Sequence, residues 1–174
     1  MGCYSDEQNG TVEAVLIFSR EQLLYDIKNY AYIEGHVLQT EDSHVRHTVQ
    51  DVGEEGNVDR VTRVLDLSMA KCREILYPYV KHDIHRHVLD DELKETPCYG
   101  IVLTLPTTFS QTTLNLLERL IHEYLVCRGV SDWMSITNPA KAETWAIKAQ
   151  EAEQEIRTCT ATRMKKVRIK PHLF

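Results

Sequence analysis

The chain has no apolar run longer than Ala14 to Phe18, far short of the roughly 20 residues that a bilayer-spanning helix needs. A membrane partner is therefore not expected. It also has no C-x-x-C pair. Its 5 cysteines, Cys3, Cys72, Cys98, Cys127 and Cys159, stand far apart and are odd in number, which argues for reduced thiols rather than a disulfide frame or a thiolate zinc site. No G-x-x-x-x-G-K-[ST] and no G-x-G-x-x-G occurs, which removes the usual nucleotide cradles. H-E-x-x-H and D-x-D-x-D-G are missing too, so neither a metalloprotease helix nor a calcium loop is implied. Gly2 and Cys3 hint at acylation, but Asp6 stands where that pattern wants Ser or Thr. With no basic start followed by an apolar stretch, secretion is not expected, and a cytoplasmic or virion location is.

What is present fits an ordinary globular chain: 43% hydrophobic and 26% charged residues over 174 positions suffice for one domain with a core. The pattern predicts a mainly α protein, a bundle of about four helices with room for a small accessory sheet. Ser19 to Gln22 reads S-R-E-Q, a capping box that should open a helix. Leu23, Leu24, Ile27, Tyr30 and Ala31 continue it at helical period, and Gly35 would close it. A second helix is expected from Val58 to about Tyr77, limited by Pro78. A third runs from about Ser110 to Arg128, where Gly129 could end or interrupt it. Asn138-Pro139 then pairs a favoured N-cap with a favoured first residue, opening a fourth helix to about Thr162. Its stripe of Ala142, Trp145, Ala146, Ala149, Ala152 and Ile156 is small enough for close packing on the third. Thr11 to Phe18 is a strand or an extended lead-in. Cys98 to Leu105 is β-prone, and either Val12 to Phe18 or Met164 to Ile169 could pair with it. Residues 36–57 hold five acidic side chains, three histidines and little aliphatic content, so a mobile acidic loop is expected there.

The net charge of -6 conceals an asymmetry. Residues 1–59 carry twelve acidic and three basic side chains (3 - 12 = -9), and residues 60–174 carry fourteen and seventeen (17 - 14 = +3). Nothing acidic follows Glu155, whereas Arg157, Arg163, Lys165, Lys166, Arg168 and Lys170 do. This basic tail, about 157–174, is a candidate contact surface for a protein partner or for nucleic acid. The plainer reading is a solvated tail whose first cations favour the negative end of a helix.

The chemistry-bearing candidates are few. His82, Asp83, His85 and His87 could supply a metal site, since neutral imidazole is a good borderline ligand and a carboxylate can orient it. Short histidine spacings are common by chance, however, and His85 and His87 share a face only on a strand while His82 and His85 share one only on a helix. No cofactor is assigned. His122 and Glu123 invite a general-base role but have no nucleophile fixed beside them. Tyr124, Trp133 and Trp145, at helical spacing, read as core, as do Cys72 and Cys127.

The order L-P-T-T-F (Leu105 to Phe109), I-H-E-Y-L-V (Ile121 to Val126), D-W-M-S-I-T-N-P (Asp132 to Pro139), W-A-I-K-A-Q-E-A-E-Q-E-I-R (Trp145 to Arg157) and R-M-K-K-V-R (Arg163 to Arg168) resembles uncharacterised phage and prophage virion assembly proteins of gut anaerobic bacteria, of the head-tail connector or tail-completion type. The resemblance spans roughly the C-terminal two fifths and its motifs are packing motifs, with no catalytic residues to carry over. It implies a non-enzymatic helical protomer that packs on neighbours in a ring, through self-association or within a phage assembly. The two competing expectations are a regulator binding nucleic acid or protein through the basic tail, and a metal-dependent enzyme using the 82–87 cluster.

Overall fold

A computed structural model describes residues 3–6, 10–38, 42–80 and 96–161 of the chain. In chain order the elements are β1 (Cys3–Asp6), β2 (Thr11–Ser19), α1 (Arg20–Val37), α2 (Ser43–Gln50), a 3-10 turn (Asp51–Gly53), α3 (Glu55–Ile75), α4 (Tyr77–Val80), β3 (Cys98–Pro106), α5 (Gln111–Thr137) and α6 (Pro139–Ala161). The fold is mainly α with a small sheet. Four long helices of 18, 21, 27 and 23 residues supply most of it.

The sheet is antiparallel in the order β1-β2-β3. Gly10, at φ 63, takes the left-handed turn conformation at the start of β2 that a side chain would resist. Alternation sets the inner face: Ala14, Leu16 and Phe18 from β2 and Tyr99, Ile101, Leu103 and Leu105 from β3 are buried against the helices. Of the two partners open to β3 from sequence, the stretch from Val12 to Phe18 pairs with it, with Val15 opposite Val102 and Ile17 opposite Gly100. Met164 to Ile169 lie outside the described residues. The register also fixes the edge. Backbone hydrogen bonds Arg20 N to Pro97 O and Thr107 N to Gly10 O, both 3.1 Å, show that odd-numbered residues of β3 exchange bonds with β2. Gly100, Val102 and Thr104 consequently direct their N–H and C=O groups away from the sheet.

Ser19 caps α1, its Oγ accepting from the Gln22 amide at 3.4 Å. Gln22 does not complete the box, because its amide turns instead to Asp26 Oδ1 at 3.1 Å. Two glycines read as stops are contact points inside helices. Gly35 is buried within α1, where a Cβ would lie 2.7 Å from Gln50 Cγ and 3.2 Å from the Arg46 carbonyl of α2. The helix runs on to Val37, and Leu38 closes it by donating its N–H to the Glu34 carbonyl. Gly129 lies mid-way in α5, and a Cβ there would meet Ile27 Cδ1 of α1 at 2.5 Å. Packing therefore outweighs the tendency of glycine to end a helix, and α5 continues without a break through Trp133 and Ile136.

The expected loop at 36–57 is corrected as well. Residues 43–53 are helical, because Val49 and Val52 find burial and Trp133 Nε1 donates to the Val49 carbonyl at 2.7 Å. Asp42 caps α2 by accepting from the His44 amide at 2.8 Å. Tyr124, Trp133 and Trp145 are all core, 3–4% exposed. Trp145 joins α6 to α1: its Nε1 donates to Glu34 Oε1 at 3.1 Å, its ring meets Tyr30 at 4.9 Å, and Lys148 sits 3.9 Å over its face. Lys141 adds an ion pair to the same Glu34 at 3.3 Å.

Candidate functional site

Most of the sequence candidates fall outside the described residues. His82, Asp83, His85 and His87 lie outside the described residues, as do Arg163, Lys165, Lys166, Arg168 and Lys170. Arg157 is on α6, where both Nε and Nη2 donate to Glu153 Oε1 one turn earlier, at 3.3 and 2.8 Å. Exposed i,i+4 pairs of this kind contribute about 0.3–0.5 kcal/mol and leave the guanidinium accessible. Among the described residues no group of three His, Cys, Asp or Glu side chains is placed to hold a metal ion.

The thiols are poor nucleophiles where they are buried. Burial pushes Cys72 up to about 12, and burial together with the neighbouring Glu123 carboxylate does the same to Cys127. Cys127 Sγ donates to Glu123 Oε1 at 3.5 Å, so Glu123 is occupied within its own helix. His122 is turned to α1 instead, with Nε2 2.8 Å from Asp26 Oδ2. Asp26 is thereby held at both oxygens, by Gln22 and by His122. His122 borders a 490 Å³ groove between the end of β2 and α5, lined also by Ser19, Gln22, Glu118 and Arg119. The carboxylate fixes the imidazole, but no serine, cysteine or lysine is hydrogen-bonded to that histidine among the described residues, and nucleophilic catalysis needs that second contact.

A different feature stands out on the opposite side of α1. Its buried positions are Leu23, Ile27, Ala31 and Gly35, and the facing side should be polar in a helix that only packs on its own core. It is not. Tyr25 is 64% exposed, Tyr32 56%, Ile33 48% and Val37 63%, and Val45 of α2 adds to them at 41%. His36 stacks on Tyr32 with ring centroids 5.9 Å apart and planes within 9°. These groups extend over about 18 Å of helix, and Lys28 and Asn29 are the polar interruption between Tyr25 and Tyr32. Helical geometry alone could have marked most of this strip: Tyr25, Tyr32 and Ile33 fall off the stripe that the sequence assigned to the core, while Val37, seven residues after Tyr30, lies at its margin. No family model matches the chain, and no curated protein or solved structure is significantly similar to it.

Proposed function

We propose that the chain is a non-enzymatic assembly subunit that acts through protein–protein contacts, of the head-tail connector type that the segment from Leu105 to Arg168 resembles. The observation that carries this reading is the exposed apolar strip of α1 and α2. A run of tyrosine, isoleucine and valine side chains left in water next to a well-filled interior is the composition of a contact surface, since tyrosine and large aliphatic groups gain most when a partner covers them. The supply of reactive groups points the same way: the buried thiols are held as thiols, and the His122–Asp26 pair ties two helices together.

The test is the solution mass by light scattering over a wide concentration range, with and without chelator. Discrete multimers that form reversibly and ignore chelator are expected, and Ile33→Asp with Val37→Asp should shift their formation to at least tenfold higher concentration. A monomer that loses bound metal and stability in chelator would overturn the proposal and favour an enzyme built on the 82–87 histidines. Retention on heparin that falls with salt, together with a monomeric mass, would favour the nucleic-acid reading.

A further inference from the structure

Among the described residues strand β3 is an edge of its sheet, nine residues long, and contains no charged side chain: C-Y-G-I-V-L-T-L-P. Proteins protect long edges with charges, bulges or a covering element, because a row of unpaired N–H and C=O groups templates pairing with another strand. Here protection is slight. The Gly100 carbonyl accepts from Arg73 Nη2 at 2.8 Å, and Pro106 removes one donor at the end of the strand. The N–H of Gly100 and both backbone groups of Val102 and Thr104 have no hydrogen-bond partner among the described residues. Helix α4 packs against β3 but forms no backbone hydrogen bond with it. Beside this edge, the outer face of the sheet carries an apolar patch: the Val15–Val102 pair is half-buried and Ile17 is 61% exposed.

We propose that β3 pairs antiparallel with β3 of a second copy of this chain about a two-fold axis at Val102, joining two three-stranded sheets into one. The strand is its own complement. Centred on Val102, the pairing sets Val102 opposite Val102 of the second copy and Gly100 opposite Thr104, and all of these residues point their backbone groups outward, so each pair exchanges two hydrogen bonds. The Gly100 carbonyl has a second lone pair and accepts from the second copy without losing Arg73. The strands themselves carry no charged side chain, and the one cation each copy brings to the edge, Arg73, stays on its own Gly100 carbonyl; the pairing sets the two Gly100 residues on either side of the two-fold, not opposite each other. An isologous contact of this kind closes at two copies and leaves the α1 strip of each free for a further contact.

This inference rests on the self-association reading and names one partner and one surface within it. The experiment uses the full chain and the variant Thr104→Pro, which removes an outward N–H without touching the bonds from β3 to β2. Wild-type mass should rise from 20.1 kDa to twice that with concentration. Thr104→Pro should stay at the single-chain mass with an unchanged circular dichroism spectrum. In the wild type, amide exchange at Val102 and Thr104 should slow by at least tenfold as the dimer forms. Should Thr104→Pro fail to fold, Val102→Lys keeps every N–H and sets two like charges directly opposite each other at the two-fold, and it should raise the midpoint concentration at least tenfold. Association unaltered by both variants would overturn the β3 pairing while leaving self-association intact. Protection of both amides at concentrations where the mass is 20.1 kDa would also overturn it, since a segment of the same chain would then be covering the edge. A single-chain mass throughout, with both amides unprotected, would overturn this inference and the self-association reading together.

Discussion

The buried faces of α5 and α6 and the outward side of α1 use similar residue types to opposite ends. On the buried faces, Leu125, Val126, Val130, Ala149 and Ile156 are all but inaccessible, and Trp133 of α5 spends its one polar atom on the Val49 carbonyl of α2. On α1, Tyr32, Ile33 and Val37 make as much apolar surface available and leave about half of it or more in water. The interior could not have absorbed them: the inward positions of α1 are already filled, and at Gly35 and Gly129 the packing leaves no room for a β-carbon. Apolar content therefore carries two meanings in this chain. Where its neighbours fill the space around it, it sets stability; where nothing in the described chain covers it, it contributes little to folding and is open to a partner.

Breaking the buried face of α5 should have the largest effect. Trp133→Ala removes an indole that is 3% exposed and frees the carbonyl of Val49, and it should cost about 3–5 kcal/mol, read from the urea midpoint. Gly129→Val should come next: its side chain would collide with fully buried Ile27, and overpacking of this kind costs about 1–3 kcal/mol. The buried thiols sharpen the comparison by pH. Burial pushes Cys72 and Cys127 up to about 12 in the folded chain, above the value of about 9 of an ordinary thiol, so the unfolded chain loses their protons first. Their contribution to stability is complete below pH 9 and should be lost progressively as the pH rises from 9 towards 12. An urea midpoint flat across that window would contradict it. Smallest in stability is Val37→Ser on the outer strip, which should stay within about 0.5 kcal/mol of the wild type and yet weaken association measurably. A stability loss as large as that of Gly129→Val would mean that the strip belongs to the core.

Much of this architecture is legible in local sequence. Ser19 and the Asn138-Pro139 pair mark helix starts because capping is decided within a few residues, and the stripe from Trp145 to Ile156 names the buried side of α6 correctly. The failures are all long-range. Gly35 and Gly129 look like helix ends until the partners that need their missing side chains, Gln50 and Ile27, are in place. The segment 43–53 looks too polar to fold, because its burial comes down to Val49 and Val52, and one of its main ties is a hydrogen bond from Trp133, 84 positions away. The unprotected edge of β3 needs the strand order, which alternation alone does not supply. The α1 strip was within reach, since residues off the core stripe of an amphipathic helix are expected to be polar and these are not.

The measurement that tests the central claim most directly is light scattering of the wild-type chain over a hundredfold range of concentration, repeated with Tyr32→Ser, Ile33→Ser and Val37→Ser combined. Assembly through exposed apolar surface predicts a wild-type mass that climbs in discrete steps above 20.1 kDa, and a triple variant of near-equal urea midpoint that needs at least tenfold more protein to climb as far. A wild-type mass fixed at 20.1 kDa over the whole range would contradict it.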